Sequence, residues 1–174
     1  MNQSVDVDGV RLTMPPGWWA WKYDESDFHQ NRFQSFAGGL KAMDVVAWEP
    51  NKTLWLIELK DYRSNRRRKP SSVFDEVAGK VRDTLAGLAV ARVSAANLPE
   101  RTSAQQALAC TQIRVVLQLA QSARPHRLFP QVVNPADAHM QLRRAVKHVD
   151  AKPVCAVGAM GDLNEVLHWH SAEI

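Results

Sequence analysis

Cysteine is scarce in this chain: Cys110 and Cys155 are the only two in 174 residues. Two thiols so far apart make neither a disulfide framework nor a cysteine-based metal motif, and they suit a reducing cytoplasm. Long apolar runs are missing too. No stretch approaches the roughly 20 apolar residues that span a bilayer, so no membrane partner is expected. The opening Met-Asn-Gln-Ser-Val-Asp-Val-Asp has no basic segment followed by an apolar core, so no secretory signal is expected either. There is also no internal repeat, no glycine-rich phosphate loop, no low-complexity tail and no prominent Ser-His-Asp pattern.

What is there fits one globular domain over residues 1–174. Hydrophobic residues make up 45% and charged residues 23%, ordinary values for a chain long enough to bury a sizeable core. The formal net charge of +4 permits an anionic partner such as nucleic acid without requiring one.

The densest information lies between residues 44 and 60. Leu54-Trp55-Leu56-Ile57-Glu58-Leu59 is an aromatic and branched run with no helical period, and a second apolar run, Val45-Val46-Ala47-Trp48, precedes it. Pro50-Asn51 supplies turn chemistry between them, so the two runs read as a hairpin. Centred near Asn51, that hairpin sets Asp44 opposite Glu58, while Glu58 and Lys60 share a face because strand side chains alternate. Opposed residues have Cβ atoms about 4.5–5.5 Å apart, close enough for two carboxylates to share one divalent cation. The bland alternative makes Glu58 and Lys60 a solvated strand-end pair and Asp44 a turn cap. Apolar neighbours on both faces of residues 54–59 argue instead for a central strand.

Asp44 on one strand with Glu58-Leu59-Lys60 on the next resembles the PD-(D/E)xK superfamily, the restriction-endonuclease-like nucleases. Met43 departs from the proline of the pattern at a position that carries no ligand. The resemblance covers roughly residues 20–120 and implies a three-layer α/β sandwich whose mixed central sheet is flanked by helices. It implies a Mg²⁺-dependent nuclease, with Mn²⁺ able to substitute, that hydrolyses phosphodiester bonds, with DNA the expected substrate. Asp44 and Glu58 would hold the metal with help from the Leu59 carbonyl, and Lys60 would complete the catalytic set. A third acid from the preceding region often joins such a site, which makes Asp24, Glu25 and Asp27 candidates. Helix capping is the plainer role for each of them. A catalytically inactive nucleic-acid-binding or protein-interaction module of the same fold is the competing expectation.

The remaining chain supplies candidate binding surfaces. Arg63, Arg66, Arg67, Arg68 and Lys69 put five cations in seven residues directly after the hairpin, as a phosphate clamp or a solvated loop. Lys41 is either a neutralising cation or an ordinary surface lysine. Trp18, Trp19 and Trp21 suggest core packing or a subunit interface, with a homodimer or partner subunit as the occupant, ahead of a base-stacking platform. Ser26 to Phe36 is expected to be helical. Ser72 reads as the N-cap of a long helix whose Val73, Val77, Val81, Leu85 and Leu88 face the sheet, with Glu76, Lys80 and Asp83 toward solvent and Lys80 a minor phosphate-binding candidate. A short helix over Thr102–Ala109 and a strand over Ile113–Leu119 follow. Next come a helix from Pro135 with Met140, Leu142, Val146 and Val149 inward, and a strand over Val154–Val157. His168 and His170 lack a third metal ligand nearby in sequence.

Overall fold

A computed structural model describes residues 3–63, 70–122, 124, 127 and 130–174. Along the chain run β1 (Ser4–Val7), β2 (Val10–Thr13), β3 (Trp19–Lys22), β4 (Val45–Glu49), β5 (Thr53–Asp61), α1 (Val73–Ser94), α2 (Leu98–Leu108), β6 (Gln112–Ala120), α3 (Pro135–Val146), β7 (Val154–Gly158), α4 (Met160–Leu163) and β8 (His170–Glu173). Strands β3 to β7 form a five-stranded mixed sheet in that order, antiparallel from β3 to β5 and parallel from β5 to β7. The parallel steps need crossovers, which α1 with α2, and then α3, provide.

The two faces of this sheet are covered differently. Val46, Trp48, Leu54, Leu56, Val115 and Leu117 pack on one face against α1, α2 and α3. Val45, Ala47, Trp55, Ile57, Leu59 and Val116 pack on the other against Val5, Val7, Val10 and Leu12. Those last four belong to a separate antiparallel sheet of order β1-β2-β8. The second outer layer is therefore a small sheet, where helices on both faces were expected. Its cause is local: apolar residues alternate with polar ones in Ser4–Val7 and Val10–Thr13, a period of two, and Asp8 and Gly9 turn between them with φ of 48° and 79°.

The hairpin forms as the sequence implies. Asn51 takes φ 57° at the turn, and Val45 pairs with Ile57. Helix α1 starts at Ser72, whose side chain accepts the Phe74 N–H, and buries Val77, Val81 and Leu88; each such side chain stabilises by about 1.5–3 kcal/mol when fully buried. Two expectations are corrected. Residues 26–36 do not make one α-helix: His29–Phe33 is a π-helical turn and Phe36–Gly38 a 3-10 turn, with Ala37 at φ 52°. The stacked rings of Phe28, Phe33 and Phe36 hold this segment in place of a regular helical stripe. In α3 the buried line is Ala138, Leu142 and Val146 at steps of four, so Met140 faces out, and Val149 lies beyond the helix end and is exposed.

Candidate functional site

Asp44 lies one residue before β4, one step past the Val45–Ile57 pair, and so stands across from Glu58. Its carbonyl accepts the Tyr23 N–H at 3.1 Å, and its Oδ2 accepts the Leu59 N–H at 2.8 Å. The Asp44 carboxylate is thereby aimed along the sheet surface at Glu58, with Oδ1 turned toward the helical layer. Glu58 is fully buried and Asp44 nearly so.

Two ammonium groups meet these carboxylates. Lys60, two residues along β5, pairs with Glu58 Oε1. Lys80 reaches down from α1, placing Nζ 3.1 Å from Asp44 Oδ1 and 2.6 and 2.8 Å from the two Glu58 oxygens. Asp44, Glu58, Lys60 and Lys80 thus make one cluster at the sheet–helix boundary. Lys80 had been expected to face solvent, and Asp83 likewise; both expectations are corrected, because Asp83 is buried and accepts the Lys41 N–H at 3.0 Å. Next to it the Thr84 hydroxyl accepts the Met43 N–H at 2.9 Å. These two bonds pin α1 beside residues 41–44 and set Lys80 over the acids. Sequence did carry a sign of this: Thr84, Gly87 and Ala91, at helical spacing from Lys80, are small residues that let one helix face approach the sheet closely, and all three are buried.

The electrostatics follow from burial. Glu58 is pushed up to about 6 by its burial and by the neighbouring Asp44 carboxylate, against the pull of Lys80 and Lys60. For Lys60, burial works toward a lower pKa, but Glu58 and Asp44 outweigh it and push the ammonium up to about 12. Asp24 is pushed up to about 6 by burial and by Asp44, with Lys22 opposing, and its buried Oδ1 has no hydrogen-bond partner among the described residues.

Of the three candidate extra acids, Asp24 is therefore the one coupled to the cluster. Glu25 pairs with Lys22 at 2.7 Å, and Asp27 accepts from Asn31 at 2.7 Å. Lys41 is exposed, and its backbone N–H donates to Asp83 near the site. Arg63 is committed elsewhere: its Nη2 and Nε donate to Asp61 at 2.7 and 3.0 Å, and its Nη1 pairs with Glu173. Arg66, Arg67, Arg68 and Lys69 lie outside the described residues. Leu59 contributes its N–H to Asp44 as described. Chemically the cluster offers hard oxygen donors beside fixed positive charge; among the described residues no group of three or more His, Cys, Asp or Glu side chains converges as a ready metal cage. No described helix is long and apolar enough to cross a membrane.

No protein-family model matches this chain, and no solved structure does. A cysteine–tRNA ligase from Neisseria meningitidis is 33% identical over 100 residues, which cover 53% of this chain and only 14% of the ligase. The chain is similar to that segment and spans a small part of the protein that contains it.

Proposed function

We propose that this chain is a metal-dependent nuclease of the restriction-endonuclease-like type, acting on phosphodiester bonds in nucleic acid and on DNA first. The observation that carries this reading is the meeting of Asp44, Glu58 and Lys60 on the surface of a central sheet, with both carboxylates buried. Charges clustered there oppose stability, and such arrangements occur chiefly where chemistry needs them. The donor set also suits Mg²⁺ or Mn²⁺: three carboxylate oxygens from Asp44 and Glu58 lie within 3.1 Å of one point, the Lys80 nitrogen. Asp44 and Glu58, with the Leu59 carbonyl, would hold such an ion, which would supply Lewis acidity to make a water more acidic and to screen phosphate charge.

The chain's own groups do the rest. The Leu59 N–H orients Asp44, and the strand ladder orients Glu58. Lys60 stays protonated at neutral pH, so its role is to hold an attacking water or a phosphate oxygen by charge, and to stabilise the negative charge that develops on the phosphorane. Abstracting a proton requires the neutral amine, which these carboxylates disfavour. Asp24, coupled to Asp44, is the candidate third acid.

The test is cleavage of linear, nicked, branched and single-stranded DNA with Mg²⁺, Mn²⁺ or chelator, with tRNA added because of the segment shared with a cysteine–tRNA ligase. Metal-dependent cutting that disappears in Asp44→Ala, Glu58→Ala and Lys60→Ala is the expected result. A second reading, a nucleic-acid-binding module without chemistry, draws on the internal pairing of both carboxylates with lysines. Binding without cleavage on every substrate decides for it.

A further inference from the structure

Lys80 stands where a cation shared by Asp44 and Glu58 would stand. Its Nζ touches Asp44 Oδ1 at 3.1 Å and both Glu58 oxygens at 2.6 and 2.8 Å. Divalent ions sit about 2.0–2.6 Å from their oxygen ligands, so an ion bridging these three oxygens would occupy the space that this ammonium fills. Lys60 is not in the same position, since it approaches Glu58 from the same strand and makes no bond to Asp44 among those described. Lys80 comes from the opposite layer on a flexible aliphatic stem, and its side chain retains 19% exposure, which gives it a way out. The helix need not move for that, because the Met43–Thr84 and Lys41–Asp83 bonds hold its backbone.

We propose that Lys80 is an internal counter-ion that a divalent metal must displace, and that the displaced ammonium then faces the anionic substrate. This rests on the metal-dependent reading above and adds a competition within the site. Lys80 keeps the two buried carboxylates compensated while metal is scarce, because a buried charge left without its partner is strongly destabilising. The same contact lowers apparent metal affinity by the fraction of time the site is open.

Mn²⁺ binding without nucleic acid, followed by calorimetry on the wild type and Lys80→Met, tests the competition. If the wild-type site is open a tenth of the time or less, the variant binds Mn²⁺ about tenfold tighter or more. The second measurement uses the wild type alone: acetylation of Lys80 by acetic anhydride, read by mass spectrometry against the exposed Lys147 and Lys152. Lys80 is expected to be protected without Mn²⁺ and to react several-fold faster once Mn²⁺ saturates the protein. Mn²⁺ binding with equal affinity in both proteins, or saturation that leaves Lys80 protected, overturns the displacement while leaving the metal site standing. Failure of Mn²⁺ to bind either protein overturns the metal site, and the displacement with it. Should Lys80→Met not fold, the labelling of the wild type decides alone.

Discussion

The two oxygens of the Asp44 carboxylate serve different partners, Oδ2 taking the Leu59 N–H and Oδ1 taking Lys80. Substitutions here therefore separate chemistry from architecture. Asp44→Asn retains a carbonyl oxygen for the Leu59 N–H and is expected to fold nearly as the wild type while losing Mn²⁺ affinity and cleavage. Asp44→Ala leaves a buried N–H without an acceptor and is expected to unfold about 1–3 kcal/mol more easily, read by urea denaturation. Glu58 makes a second, pH-dependent prediction. Its pKa rises from 4.5 to about 6 on folding, so the folded state holds the proton more tightly. Its contribution is favourable below pH 4.5 and is lost as pH rises through 6, a change of about 2 kcal/mol. The stability of the wild type relative to Glu58→Gln should fall by that order between pH 4.5 and 6.5 and level off above. A relative stability that does not change across this window would mean that Lys60 and Lys80 fully offset the burial.

Helix α1 is the element that assembles the site, and two of its glycines report on how. A Cβ at Gly87 would come 2.0 Å from the Tyr23 hydroxyl oxygen and 3.1 Å from the Phe33 ring, whereas a Cβ at Gly79 meets nothing within 4 Å. Gly87→Ala is expected to destabilise by about 1–3 kcal/mol, because Tyr23 is buried and has little room to retreat. It should also tighten Mn²⁺ binding, because the competing Lys80 lifts away with α1 while Asp44 and Glu58 stay with the sheet. Gly79→Ala is expected to stabilise by about 0.5–1 kcal/mol through helix propensity alone. Thermal melts of the pair distinguish close packing from propensity. At this scale the sequence was partly readable. The hairpin was plain because turn chemistry and strand alternation are local, and together they fix which residues oppose each other. The place of Lys80 was not, because a charged residue beside a stripe of Val77 and Val81 looks solvent-facing until the small residues Thr84 and Gly87 bring the helix down onto the acids. Residues 26–36 misled for a related reason: Phe28, Phe33 and Phe36 suggest a helical face, but ring stacking and the glycines at 38 and 39 break the segment into short turns.

Across the whole molecule the cations are unequal. Arg63 is locked to Asp61 and Glu173, so Arg63→Ala should leave the salt dependence of nucleic-acid binding unchanged. Replacing Arg66, Arg67 and Arg68 together should weaken binding to all sequences alike. If they contact phosphates, it should flatten the plot of log affinity against log salt by about 0.9 per lost contact on duplex DNA. A slope that changes only with Arg63→Ala would reverse this assignment. The small sheet has a further consequence, in time rather than in space. Val10 pairs with Glu173 and Leu12 with Ser171, so β2 waits for a partner far away in sequence. Contacts this distant in sequence close slowly, and until β8 arrives Val10 and Leu12 present an open strand edge. The layer over Trp55 and Ile57 should therefore form after the central sheet. Leu12→Ala should speed unfolding far more than it slows refolding, and a nascent chain should be most prone to aggregate just before β8 is made.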